Sequence, residues 1–128
     1  MVVPTIQGVN YKEVATSLIV SEWQIIPFDF GGKALTEMTI VVDSTLAAAT
    51  IDLPSIISNS IPAAYSFNGV YGTTIKIIAP KGATNDVVIQ AGGSDTIGSS
   101  TSVTLSTDGA SAIFTILSSE DWSVLVTA

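Results

Sequence analysis

Apolar and polar residues alternate with a period of two along most of this chain, the spacing of a strand with one buried face. In Thr50-Ile51-Asp52-Leu53 the alternation places Ile51 and Leu53 on one face and Thr50 and Asp52 on the other. The same pattern predicts strands over Glu37–Asp43, Ala48–Leu53, Thr73–Ala79, Asn85–Ala91, Thr101–Leu105, Ala112–Leu117 and Trp122–Val126, with a brief return at Thr96-Ile97. Turn chemistry separates them: Asn68-Gly69, Gly92-Gly93-Ser94-Asp95, Gly98-Ser99-Ser100 and Thr107-Asp108-Gly109. Strand and turn in quick succession predict a compact antiparallel β-sandwich or barrel-like domain.

The first third is less regular. Met1–Asn10, with Pro4, Gly8 and Asn10, reads as an extended arm. Tyr11–Val20 fits a short helix or a strand from Ala15 to Val20 about equally well. Pro27 makes Glu22–Phe30 an edge strand or extended segment, because proline cannot donate to a central ladder. With 128 residues the chain suits a single core, so the expected organisation is an attachment arm over 1–34 and a β-domain over 35–128.

Some positions fit no single buried face. Ile77-Ile78 and Val87-Val88 put one apolar side chain on each side of a strand, and Ile56, Ile57 and Ile61 sit in a proline-bracketed loop. Charged residues make up only 12% of the chain, too few to cover a monomer of this size. Both features predict self-association, with Ile56, Ile57, Ile77 and Ile78 as interface candidates in a homotrimer.

Four lysines, no arginine and eleven carboxylates give a net charge of −7, which argues against nucleic acid and anionic lipid as partners. No apolar run approaches the roughly 20 residues that span a bilayer. The absence of histidine and cysteine removes the usual general base, thiolate chemistry and the commonest transition-metal ligands. Glu120-Asp121 is the one adjacent carboxylate pair, but neighbours on a strand point to opposite faces, and a solvated turn before Trp122 explains it better than a glycosidase site. Asp86, Asp95 and Asp108 lack the Asp-x-Asp-x-Asp spacing of a calcium loop, and Asp95 and Asp108 fit turns that bond their own backbone. The expectation is therefore a protein without catalytic residues, cofactor or metal. Among the aromatics Trp23, Tyr65, Phe67, Tyr71 and Trp122, most are expected in core or interface, while Tyr65, Asn68 and Tyr71 are candidate receptor contacts.

From about residue 50 to 126 the order of pieces resembles small β-domains of phage tail fibres, head fibres and other virion appendages. The pieces are Ile51-Asp52-Leu53-Pro54, Gly72-Thr73-Thr74-Ile75-Lys76-Ile77, Val87-Val88-Ile89 running into Gly93-Ser94-Asp95-Thr96-Ile97, Val103-Thr104-Leu105, Asp108-Gly109 and Asp121-Trp122-Ser123-Val124. The resemblance implies a trimeric, non-enzymatic structural protein of a virion, assembled in the host cytoplasm. Its partners would be copies of itself and a capsid or baseplate protein. Only about 36 residues precede the first strand expected of this domain, at Glu37, which favours a short appendage or decoration over the tip of a long fibre. Val3, Pro4, Ile6 and Tyr11 are then the candidate attachment residues, and host-surface glycan binding is the alternative function.

Overall fold

The computed structural model describes residues 3–7, 9–26, 37–54, 56, 73–79, 85–106, 109–117 and 120–127. Eleven strands run through them: β1 Thr5–Ile6, β2 Tyr11–Ala15, β3 Glu22–Ile25, β4 Glu37–Asp43, β5 Ala49–Asp52, β6 Thr74–Ile78, β7 Val87–Gln90, β8 Thr96–Ile97, β9 Ser102–Leu105, β10 Ser111–Ile116 and β11 Asp121–Thr127. Burial follows the sequence alternation. In β4, Met38, Ile40 and Val42 are buried between more exposed neighbours, and β10 repeats the pattern with Ala112, Phe114 and Ile116.

Two mixed sheets form a sandwich-like pair, ordered β1-β3-β5-β7-β9 and β2-β4-β6-β10-β11-β8. Up to β10, each strand lies in the sheet opposite its predecessor, and, with the exception of the two-residue β8 at the sheet edge, strands of one sheet that are two apart in sequence are neighbours. The chain therefore winds back and forth between the layers, and β1, β3, β5 and β7 are mutually parallel, as are β2, β4 and β6. This corrects the antiparallel expectation for most of the chain. A parallel pair needs a long crossover, commonly a helix; here a strand of the other sheet serves instead. Among the described strands, the antiparallel pairs are β7 with β9, β6 with β10, and β10 with β11.

The core lies between the layers. Ile25, Ile51 and Ile89 from one sheet face Ile40, Ile77 and Phe114 from the other, all with no solvent exposure. Each such side chain contributes about 1.5–3 kcal/mol through burial. The stretch expected as an extended arm supplies part of this core: Ile6, Trp23 and Ile25 are buried, and β1 and β2 pair with β3 and β4. β3 is central rather than an edge, with β1 on one side and β5 on the other, because it ends before Pro27 is reached. Tyr11–Ala15 is strand, and neither a helix nor a strand from Ala15 to Val20 forms, since Ser17 closes a turn there. The expected division between 34 and 35 falls outside the described residues.

At the corners, Gly98 and Gly109 take φ of +61° and +80°. Only glycine adopts this region without steric cost, which explains a glycine at each of these turn positions.

Candidate functional site

Among the described residues, Val3, Pro4, Ile19, Val20, Ser21 and Glu22 line a shallow depression of about 210 Å³. One wall is fixed by β1: Gln24 N–H donates to the Pro4 carbonyl at 2.9 Å and Ile26 N–H to that of Ile6 at 3.0 Å. Pro4 is tolerated because β1 is an edge strand. The other wall is the turn between β2 and β3. Ser17 Oγ accepts the N–H groups of Val20 at 2.9 Å and Ile19 at 3.3 Å, while Ser17 N–H donates to the Val20 carbonyl at 2.8 Å. A serine that satisfies its own turn in this way fixes the loop locally. The turn pushes Leu18 and Ile19 outward, at 96% and 76% exposure.

A carboxyl pair borders the depression. Glu22 on β3 lies opposite Thr50 of β5, and Gln24 lies opposite Asp52, so Glu22 and Asp52 are diagonal neighbours on one face. Partial burial, a hydrogen bond with Glu22 and the nearby Glu22 charge push the Asp52 carboxyl up to about 7. Gln24 Nε2 donates to the carbonyls of Ile25 at 3.1 Å and Asp52 at 3.3 Å, which ties the two strands together beside the pair. Two carboxyls in mutual contact leave no room for the sugar that a glycosidase holds between acids roughly 5–9.5 Å apart. The depression is also smaller than the roughly 300–1,000 Å³ of usual ligand pockets. What the arrangement offers is a small apolar socket with a carboxyl pair near its rim.

The other candidates scatter. Val3 and Pro4 line the depression, but Ile6 is core and Tyr11 stands exposed on β2 of the opposite sheet. Ile56 and Ile77 have no exposure within a single chain, so their burial needs no partner subunit. Ile78 is half-buried on the outer face of its sheet, next to Val41. Ile57, Tyr65, Asn68 and Tyr71 lie outside the described residues.

Glu120 and Asp121 do not converge. Asp121 Oδ1 accepts the Thr96 hydroxyl at 2.9 Å, and Glu120 is exposed. The Asp95 side chain, expected to bond its own turn, instead reaches across 39 residues of sequence: only 5% exposed, its Oδ2 accepts Ile56 N–H at 2.8 Å, while the turn itself is closed by Asp95 backbone N–H donating to the Gly92 carbonyl at 3.0 Å. Burial raises its carboxyl above the usual range, the Ile56 N–H opposes this, and Glu120 adds to it. Among the described residues, no three Asp or Glu side chains group as metal ligands would, and no helix is long and apolar enough to cross a membrane.

No protein-family model matches the chain, and a search of curated proteins found no match.

Proposed function

We propose that this chain is a non-enzymatic structural protein of a bacteriophage virion, a short homotrimeric fibre or decoration that docks on a capsid or baseplate protein through the N-terminal end of its sheet stack. The observation that carries the reading is the fixed Ser17–Val20 turn, which displays Leu18 and Ile19 beside an apolar socket containing Val3 and Pro4. Exposed apolar side chains on a turn already held in place lose little conformational freedom on binding, so more of their burial energy appears as affinity. Further support comes from the lack of histidine and cysteine, from the low charge content and from the resemblance of residues 50–126 to appendage domains.

The test is a Leu18→Asp/Ile19→Asp double variant. Both positions are solvent-exposed, so thermal unfolding should stay within a few degrees of wild type. Burying a leucine and an isoleucine is worth about 1.5–3 kcal/mol each, so co-sedimentation with purified particles should fall by at least tenfold in affinity. A folded double variant that co-sediments like wild type would overturn docking through this end.

A further inference from the structure

We infer that the C-terminal half of β11 is a pairing surface for a second copy of this chain, joined edge to edge about a twofold axis. β11 runs beside β10 along its whole length, but β8 covers its other edge only at Asp121 and Trp122. The carbonyls of Glu120 and Trp122 accept Thr96 N–H at 2.8 Å and Gly98 N–H at 2.9 Å, so they point toward β8. Strand alternation aims the N–H and carbonyl groups of Val124 and Val126 the same way, and among the described residues nothing meets them.

The segment Ser123-Val124-Leu125-Val126-Thr127 complements itself. Antiparallel pairing centred on Leu125 sets Ser123 opposite Thr127, Val124 opposite Val126, and Leu125 opposite its own copy. In that register Val124 and Val126 form the hydrogen-bonded pairs on either side of the axis, and Leu125 forms the close non-hydrogen-bonded pair upon it. No charge meets a like charge. Leu125 and Val126, at 61% and 46% exposure, would both gain cover from this contact. An isologous contact closes on itself and leads to no open filament.

The other edges are protected in ways this one is not. β1 has two residues and follows Pro4. β2 carries Lys12 on the side of the strand that Val14 turns to the core, a charge that disfavours added strands. β9 exposes only Ser102 and Thr104. β11 has neither charge, proline nor glycine from Trp122 to Thr127.

The twofold contact is separate from the proposed threefold: alone it gives a dimer, and with the trimer it gives even-numbered assemblies. Because the chain has no cysteine, Leu125→Cys introduces a single thiol at the axis. Opposed non-hydrogen-bonded positions lie within reach of a disulfide. Leu46→Cys, at an equally exposed site of 69%, is the control. Under mild oxidation at micromolar concentration, Leu125→Cys should become a covalent dimer at least tenfold faster than Leu46→Cys. In light scattering, Leu125→Lys should halve the mass of the wild-type assembly. Equal cross-linking rates, or a Leu125→Lys mass equal to wild type, would overturn the inference.

Discussion

Asp52 is the residue whose environment departs furthest from what its place in the chain announces. Alternation with Ile51 and Leu53 turns it outward, as the sequence pattern predicts. Its partner Glu22 comes from 30 positions earlier, brought alongside by parallel pairing that no local pattern encodes. The consequence has a definite sign. A carboxyl raised from 3.8 to about 7 on folding is protonated in the native state where the unfolded chain is ionised. Its stabilising contribution is therefore complete below about pH 4 and is lost as pH rises through 7. Asp52→Asn removes the titration and the charge facing Glu22. Wild-type Tm should fall between pH 4 and pH 8 more steeply than that of the variant, and the variant should be the more stable at pH 8. A smaller slope of the same sign should persist in both from Asp95, whose carboxyl is also raised. Parallel pH profiles for the two proteins would show that the pair is not coupled to folding.

The strands themselves are legible because each carries its own signal. Thr74–Ile78, Val87–Gln90, Ser102–Leu105, Ser111–Ile116 and Asp121–Thr127 fall within or close to the stretches that alternation marks, and Thr96-Ile97 is the short return expected between two turns. Their partners are less so. β10 and β11, neighbours in sequence, pair antiparallel, which sequence proximity suggests. The N-terminal strands instead pair with others one whole winding away: Thr5 with Gln24, Gln24 with Asp52, Asp52 with Gln90, in steps of 19, 28 and 38 residues. Windings of unequal length leave no repeat to detect. The apolar residues of the first third, Ile6, Trp23 and Ile25, were thus open to being read as an arm when they belong to the core. Deleting residues 1–34 removes β1, β2 and β3, and the four buried side chains Ile6, Trp23, Ile25 and Ile26, at about 1.5–3 kcal/mol each, are comparable to the whole stability of a small domain. The truncated chain should lose its cooperative thermal transition. A truncated chain that melts cooperatively at the wild-type Tm would restore the detachable arm.

At the scale of the whole molecule, low charge and doubly apolar strands are the features on which the proposal of self-association rests. The pattern announces Ile77-Ile78 as apolar on both faces, and Ile77 is indeed core while Ile78 stays partly open on the outer surface. It cannot announce which outward residues remain exposed. That depends on where β8 stops beside β11, and on a turn held by Ser17 that displays Leu18. The proposed docking end and the proposed pairing edge belong to different regions, β1 to β3 and β11, so the account predicts that particle attachment and twofold pairing are lost separately. The most direct test of the structural role is quantitative mass spectrometry across a density gradient of particles from cells that make this chain. The account predicts that the chain migrates with intact particles in a constant ratio to the capsid protein. A chain found only in the soluble fraction at the top of the gradient would contradict it.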